Sequence, residues 1–412
     1  MTFKLIKNGT IIDGNGGEPL NGQAILLSEN TIQAIGKAEE IIKDIRDVTV
    51  IDAKGGYVLP GLIDTHVHVM LRIKNTQAEL ETPFSIRFFE TVHHLKETLE
   101  SGITTVRDAG YTDVGVKEAV ERGLVAGPRM QVSITPLTIT GGHSDSWMRS
   151  GIDITDVTYP TMPSGKCDGA EEVVKKVREV LRAGADVVKV HATGGVMSPT
   201  DHPDFTQFSQ EELEIMVREA NFRKGIKVMA HAQGAEGIKN AVRAGIHSIE
   251  HGIYLDDEAI ELMLERGTYL IPTLLAPVSV LEMAENSDNV PAYALEKARE
   301  AADEHRESIA KAYKAGVKIA MGTDAGVMAH GTNLRELKLM CDIGMTPMES
   351  IIATTKTAAT CMGWEDKVGT IETGKLADLV ISNQNPLDDI QVLENSNNLI
   401  VIKDGEVVKE SM

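Results

Sequence analysis

The sequence has few cysteines, few aromatic residues, no long apolar run and a deficit of positive charge. Its three cysteines, Cys167, Cys341 and Cys361, are far apart and odd in number, which argues against a disulfide framework and is typical of a reducing compartment. No segment is apolar for about 18 residues, the length that a transmembrane helix needs. The N-terminus also lacks the apolar region of a signal peptide. We therefore expect a cytoplasmic protein with no membrane partner.

The charge balance excludes another class of partner. The net charge is −20, whereas binding to nucleic acid needs clustered lysine and arginine. Aromatic residues make up only 4% of the chain, so few residues are present to build a large stacking pocket. These features leave a small-molecule substrate as the expected partner and say little about its identity.

The length and texture of the chain predict one large and one smaller domain. At 412 residues the chain exceeds the usual limit for a single core. Residues 3–53 alternate short β-type runs with turn residues, and the same texture returns after about Trp364. From Gly56, apolar strands alternate with amphipathic helices, a pattern typical of a parallel sheet with helical crossovers.

Roughly eight such strands are present, which is the number that a (β/α)8 TIM barrel requires. The candidate strands are Leu62 to His66, Thr104 to Asp108, Arg129 to Ile134, Val187 to His191, Val228 to His231, Ser248 to His251, Tyr269 to Thr273 and Ile319 to Thr323. We predict an α/β chain in which residues 58–363 form the barrel and residues 1–57 and 364–412 together form a smaller β-sandwich domain.

Three helices have clear sequence signals. Ser209 is a candidate N-cap, followed by acidic first-turn residues. Pro347 follows Thr346 at the expected start of another helix. Residues 292–315 form a long, charge-rich helical stretch, and we expect that helix to lie on a solvated outer face.

An apolar run that starts at Val58 ends in Asp64-Thr-His66-Val-His68. If the run is a strand, both imidazoles point to the same side at its carboxyl end, as two ligands of one metal ion would. A lone His-x-His pair also has an ordinary interpretation, with one buried histidine and one on the surface. The metal hypothesis therefore depends on further ligands.

Further candidate ligands stand at the ends of other predicted strands, where barrel chemistry is located. They are Lys189, His231, His251 and Asp324. Lys189 is unusual because an ammonium beside two metal ions would be repelled, so it must be neutral, distant or chemically altered. Reaction with carbon dioxide would convert it to an anionic carbamate that can bridge two metals.

These residues resemble the amidohydrolase superfamily, in its subgroup with a binuclear metal centre bridged by a carboxylated lysine. The resemblance rests on Pro60-Gly61-Leu-Ile-Asp64-Thr-His66-Val-His68, the Lys189 strand, His231, Glu250-His251-Gly252 and Gly322-Thr323-Asp324. Ala192-Thr-Gly-Gly195-Val-Met-Ser198-Pro199-Thr200-Asp201 and Gly141-Gly142-His143 are similar to the branch that holds prolidase-like and carboxypeptidase-like enzymes. Enzymes of that branch release amino acids from dipeptides or N-acyl amino acids.

The resemblance implies two divalent metal ions. His66, His68 and Asp324 would hold one ion and His231 and His251 the other, with carboxylated Lys189 and a hydroxide as bridges. Asp324 is the candidate proton shuttle from that hydroxide to the leaving amine. Imidazole and carboxylate ligands fit zinc, with manganese, iron and cobalt as alternatives.

Three residues are candidate substrate contacts. His143 lies in a Gly-Gly-His loop, where it could bind a substrate carboxylate or carbonyl. His191 shares the strand face of Lys189 and is either a substrate contact or a structural hydrogen bonder. Gln233 shares the face of His231, where prolidase-like relatives can carry a tyrosine that binds the substrate carboxylate, so specificity for that group is open. Asp64 is a candidate orienter of the ligands.

The sequence thus predicts a metal-dependent hydrolase of amide bonds that acts on a dipeptide or an N-acyl amino acid. One alternative is a cyclic-amide or lactone hydrolase or deaminase of the imidazolonepropionase type, with a single metal and an unmodified Lys189. Another is a noncatalytic interaction protein that retains the fold, although such proteins tend to lose ligands. Relatives of this type often form homo-oligomers, and we expect the same here.

Overall fold

The computed structural model describes residues 2–71, 81–148, 150–154, 159, 161–198, 201–286, 290 and 292–410. Pro199 and Thr200 of the family-like motif lie outside these ranges. The described strands are β1 (Phe3–Lys7), β2 (Thr10–Ile11), β3 (Ala24–Ser28), β4 (Thr31–Gly36), β5 (Val48–Asp52), β6 (Tyr57–Pro60), β7 (Leu62–Val67), β8 (Ile103–Asp108), β9 (Arg129–Val132), β10 (Val187–His191), β11 (Lys227–Ala232), β12 (Ser248–His251), β13 (Tyr269–Ile271), β14 (Leu379–Ser382), β15 (Leu399–Lys403) and β16 (Glu406–Lys409).

Helices follow most of the strands in the central part of the chain. The described α-helices are α1 (Ala38–Ile41), α2 (Phe84–Glu100), α3 (Val114–Glu121), α4 (Gly169–Arg182), α5 (Gln210–Asn221), α6 (Ala235–Arg243), α7 (Asp257–Arg266), α8 (Leu275–Asn286), α9 (Ala292–Ala315), α10 (Arg335–Asp342), α11 (Pro347–Ala353) and α12 (Lys356–Met362). None of the helices in the described ranges is both long and apolar enough to cross a membrane.

Both chain ends contribute to one pair of sheets. The first has the strand order β4-β3-β1-β5, and the second has the order β16-β15-β14-β6-β2. Ile25 and Ile32 of the first sheet lie in the same buried apolar cluster as Leu379 and Ile400 of the second. Burial of these side chains away from water therefore stabilises the association of the two ends.

The central part of the chain forms two parallel sheets, β7-β8-β9 and β10-β11-β12-β13. All residues of β7, β8, β10 and β12 are buried, as expected for parallel strands that are covered on both faces. Val173, Val177 and Val180 form the buried stripe of α4, at the spacing of one helix face.

Two segments outside the regular strands, at Leu137 and at residues 319–323, form backbone hydrogen bonds with strands of the two parallel sheets. The Leu137 amide donates to the Lys189 carbonyl, and the His191 amide donates to the Leu137 carbonyl. The predicted strand from Ile319 to Thr323 is wrong as a regular strand, because only Ile319 forms a bridge, with Leu270. The segment nevertheless forms backbone hydrogen bonds on both sides, with Leu270 and with β7, where the Thr65 amide donates to the Met321 carbonyl.

The two predicted helix starts are confirmed, whereas the buried face of the longest helix was not predicted. Ser209 forms a capping box with Glu212, and Thr346 forms one with Glu349. As expected, α9 has a solvated face, on which Arg299, Asp303 and Arg306 are exposed. One face of this helix is buried, with the side chains of Ala294, Ala298, Ala301, His305, Ser308, Ile309 and Ala312. Short alanines among the charges allow the helix to pack closely.

Candidate metal centre

Two imidazoles and one carboxylate meet where β7 ends. His66 lies within the strand, His68 directly follows it, and both are buried. Asp324 Oδ1 lies 3.4 Å from His66 Nε2 and 3.1 Å from His68 Nε2. These imidazoles hold the pKa of Asp324 well below its usual range, although burial alone would raise it. The predicted same-side orientation of His66 and His68 therefore brings both to one carboxylate.

Two more imidazoles join this group from the ends of β11 and β12. His251 lies 5.1 Å from His66 and 4.6 Å from His231, measured between ring centroids. Within the described residues, His66, His251 and Asp324 offer ligand atoms that all lie within 4.8 Å of one another. Such a set could hold a metal ion.

Lys189 faces the same space from β10. Its Nζ lies 3.4 Å from His66 Nε2, and the residue is only 1% exposed. Burial lowers the pKa of Lys189 to about 8, against the opposing effects of Glu250 and Asp324. A neutral amine, the form that reacts with carbon dioxide, is therefore populated at lower pH than for an exposed lysine.

Each of the four imidazoles has one ring nitrogen engaged by a neighbouring group. His66 Nδ1 lies 2.7 Å from Glu250 Oε2, and His251 Nδ1 lies 2.7 Å from Thr273 Oγ1. His68 Nδ1 donates to the Gly110 carbonyl and His231 Nε2 to the Gly194 carbonyl, both at 3.0 Å. The second nitrogen of each ring is left to act as a ligand, an arrangement that fixes tautomers in metal sites.

The surroundings of His231 and His251 favour the neutral form of both imidazoles. Burial, reinforced by His143, lowers the pKa of His231 well below its usual value. Burial also lowers the pKa of His251 well below its usual value, against the opposing effect of Asp324. Neutral imidazole is the form that binds metal ions.

Three non-glycine residues at this place have a left-handed backbone conformation. His251, Thr273 and Asp324 have φ values of 77°, 48° and 68°. Such left-handed conformations are uncommon outside glycine and costly for a β-branched residue such as threonine. They tend to persist at functional sites because the surrounding structure holds them. The His251–Thr273 hydrogen bond joins two of the three strained residues.

A buried ion pair beneath His66 was not predicted from the sequence. Glu250 Oε1 accepts from Arg107 Nη2 at 3.1 Å and from Ser248 Oγ at 2.6 Å. Burial alone would raise the pKa of Glu250, but Arg107 and His66 lower it to about 2. A charged residue inside an apolar strand, the signal that identified Lys189, would also have identified Arg107 and Glu250.

Asp64 orients backbone rather than imidazole. Its carboxylate accepts hydrogen bonds from the His66 amide at 3.0 Å, from Thr323 Oγ1 at 2.6 Å and from Asn333 Nδ2 at 2.8 Å. It thereby connects the strand that carries His66 with the segment that carries Asp324.

Two of the three predicted substrate contacts lie against this group. The His143 ring is 4.3 Å from the His231 ring and 5.0 Å from the His191 ring. His191 Nδ1 lies 3.0 Å from Ser144 Oγ, and burial lowers the pKa of His191 well below its usual value. Gln233 is buried, and its carboxamide oxygen has no hydrogen-bond partner in the described part of the chain.

Comparison with known proteins identifies the class. A model of the amidohydrolase family matches residues 57–408, and the chain belongs to that family, whose members generally bind divalent metals. It is a hydrolase that acts on carbon–nitrogen bonds.

Individual relatives cover almost the whole chain. The ochratoxinase of Aspergillus niger is 34% identical over 407 residues, 95% of this chain and 83% of the relative. A solved Xaa-Pro dipeptidase with bound methionine in its active site is 36% identical, with a TM-score of 0.90 over 99% of this chain and 100% of the other. A prolidase complexed with N-methylphosphonate-L-proline is 31% identical, with a TM-score of 0.92 over 100% of both chains.

Proposed function

We propose that this protein is a metal-dependent hydrolase that cleaves the amide bond of a dipeptide or an N-acyl amino acid. One observation carries the proposal: four histidines, one aspartate and one lysine lie close together. They are His66, His68, Lys189, His231, His251 and Asp324. The names of the relatives support the substrate class, since they include a Xaa-Pro dipeptidase, a prolidase and an ochratoxinase.

The donor set fits two divalent metal ions. His66, His68 and Asp324 would hold one ion, and His231 and His251 the other. Nitrogen and oxygen donors without a thiolate fit zinc. One nitrogen of each ring is held by a neighbouring group, so the other nitrogen is the one that would bind a metal ion. When bound, the ions would supply a water of lowered pKa and polarise the scissile carbonyl.

Lys189 is proposed to carry a carboxylate derived from carbon dioxide and to be shared by both ions. Support comes from its position, because Nζ lies 3.4 Å from His66 Nε2 in a buried site. An ammonium there would be repelled by two divalent cations, whereas a carbamate would be attracted to them.

Asp324 is proposed to move the proton. Its carboxylate would accept a proton from the attacking water and deliver it to the leaving nitrogen, which prevents expulsion of a strongly basic amide anion. Its Oδ1 lies 3.4 Å from His66 Nε2 and 3.1 Å from His68 Nε2, so the carboxylate is adjacent to the proposed metal ligands, where the attacking water would form.

His143, His191 and Gln233 are proposed substrate contacts. His143 can donate a hydrogen bond to a substrate carboxylate or carbonyl, and its ring stacks on His231. The buried oxygen of Gln233 lacks a donor in the described part of the chain. A substrate N–H would satisfy it, and leaving such an atom unpaired costs free energy.

The proposed architecture is a (β/α)8 barrel of residues 58–363 beside a β-sandwich domain of residues 1–57 and 364–412. Support for a closed ring comes from the parallel bridges Leu137↔Val190, Leu270↔Ile319 and Val67↔Ala325, which relate the two parallel sheets. Strand ends arranged in a ring would converge on one site. Cytoplasmic location and homo-oligomeric assembly stay predictions.

The test is a substrate screen of purified protein supplied with two equivalents of zinc. We expect release of a free amino acid from members of a panel of Xaa-Pro dipeptides and N-acyl amino acids. His251→Ala should abolish this activity, whereas His93→Ala should not, because His93 is 69% exposed. Failure on every amide, with hydrolysis of a lactone or a cyclic amide instead, would replace the proposal by the imidazolonepropionase-type alternative.

A further inference from the structure

One face of α9 carries polar groups that bond to the backbone after β10 and after β12. Tyr293 and Lys297, one turn apart, contact the segment that follows β10. His305 Nε2 donates to the His251 carbonyl at 2.9 Å, and Ser308 Oγ donates to the Gly252 carbonyl at 2.8 Å. The helix therefore contacts the backbone of His251, a proposed ligand, and the backbone of the segment that follows β10.

Lys297 makes the densest set of these contacts. Its Nζ donates to the carbonyls of Gly195 at 3.0 Å, Ser198 at 2.8 Å and Asp201 at 2.6 Å. The side chain is 12% exposed, and the Asp201 carboxylate is more distant, at 3.8 Å. Three carbonyls match the three donors of one ammonium. The contact therefore holds backbone rather than forming an ordinary surface ion pair, and we call the three bonds from Lys297 to Gly195, Ser198 and Asp201 the clamp.

The clamped backbone touches two imidazoles of the site. Gly194, the residue before the first clamped carbonyl, accepts the hydrogen bond from His231 Nε2 at 3.0 Å. A Cβ at Gly195 would lie 2.2 Å from His143 Cε1, so the His143 ring lies directly against this backbone. Ser198 Oγ lies 3.1 Å from His143 Nδ1.

A chain of side-chain hydrogen bonds also connects Ser198 and Asp201 to the main chain of His143. Ser198 Oγ also donates to Asp201 Oδ1, and Gln207 Nε2 donates to Asp201 Oδ2 at 3.2 Å. Gln207 Oε1 accepts from the His143 amide at 3.2 Å. Movement of the clamped backbone would therefore displace both the ring and the main chain of His143.

We propose that Lys297 is a positioning residue that fixes the backbone of Gly194, Gly195, Ser198 and Asp201 and thereby holds His143 for substrate binding. The inference rests on the proposed function, in which His143 contacts substrate. Without the ammonium, three carbonyls lose their shared donor, and the segment opens locally. Lys297 itself touches no ligand residue of the proposed metal centre in the contacts described above.

The first test measures, without any substrate, how strongly Lys297 protects the contacted backbone from hydrogen exchange. Lys297→Met keeps an unbranched side chain that is one atom shorter and removes its donors. Lys311→Met is the matched control on the same helix, where Lys311 is 52% exposed and pairs with Asp257. We expect amide hydrogen exchange in residues 192–198 and 201–207 to be about tenfold faster in the Lys297 variant and unchanged in the control. Unchanged exchange in Lys297→Met would overturn the proposal. If Lys297→Met does not fold, Lys297→Gln takes its place with the same two outcomes.

The second test separates positioning from general stability. With an N-acyl amino acid that the wild type hydrolyses, we expect KM to rise about tenfold in Lys297→Met with little change in kcat, and Lys297→Arg to recover most of the loss. Equal KM values in wild type and Lys297→Met would overturn the proposal. A wild type that hydrolyses no amide would count against the proposed function alone, because the exchange measurement does not depend on hydrolysis.

Discussion

Glu250 Oε2 lies 2.7 Å from His66 Nδ1 at the base of the candidate metal centre. The other carboxylate oxygen of Glu250 accepts from Arg107, so a buried ion pair fixes the orientation of a proposed ligand. A carboxylate behind a ligand imidazole increases its basicity and holds its tautomer. We therefore expect metal affinity and fold stability to be coupled through the Glu250 side chain.

Glu250→Gln should weaken metal binding and the fold together. Loss of the charged acceptor behind His66 should reduce metal affinity by roughly 10- to 100-fold. Arg107 would remain buried without its counter-ion, which should lower the free energy of unfolding by about 3 kcal/mol. Competition with a chromophoric chelator and urea denaturation measure the two effects. Unaltered metal affinity would show that Glu250 supports the fold only.

Asp324→Asn should lower kcat far more than it raises KM. The amide cannot accept and transfer the proton, so we expect kcat to fall by about 10²- to 10⁴-fold. Steady-state kinetics on the best amide substrate give the measurement, with Asp366→Asn as control because Asp366 is exposed. A variant with near-normal kcat would remove Asp324 from the proton path.

Lys189→Met should stabilise the metal-free protein at neutral pH while eliminating its activity. Folding lowers the pKa of Lys189 from 10.5 to about 8, so the folded state binds fewer protons than the unfolded state between these values. Stability of the metal-free wild type should therefore rise as pH increases from about 8 to 10.5.

Below pH 8 the charged lysine costs about 3 kcal/mol, which Met avoids. The difference in unfolding free energy between Lys189→Met and wild type should thus be largest below pH 8 and vanish above 10.5. Urea denaturation of chelator-treated samples across this range measures it. A pH-independent difference would contradict the burial cost of the charged lysine.

His143→Asn should raise KM for the amide substrate. A lost hydrogen bond to a substrate carboxylate or carbonyl corresponds to roughly a tenfold effect, and kcat should change less. His202→Asn is a suitable control, because the His202 side chain is partly exposed and contacts Asp204 and Phe205 rather than the ligand residues. A KM equal to that of the wild type would exclude His143 as a substrate contact.

The sequence pattern predicted the parallel strands and the grouping of His66, Lys189, His231, His251 and Asp324. Local signals suffice for this, because strand alternation places residues two apart on one face and parallel strands end at one sheet edge. The same signals predicted the bounds of β10 and β12, Val187–His191 and Ser248–His251.

The parts that were missed depend on contacts between distant segments. The bonds of Lys297 on α9 with Gly195 and Ser198 join residues about 100 positions apart, and charge along a helix does not reveal which face is buried. The segment from Ile319 to Thr323 looks like a strand in sequence but forms a single bridge, between Ile319 and Leu270. Such outcomes are decided by tertiary packing rather than by local preference.

The most direct test of the account is the metal content of the purified protein together with its activity before and after chelation. We predict about two divalent ions per chain by elemental analysis, loss of amide hydrolysis when a chelator removes them, and recovery when zinc is restored. A chain that hydrolyses amides at full rate with no bound metal would contradict the central claim.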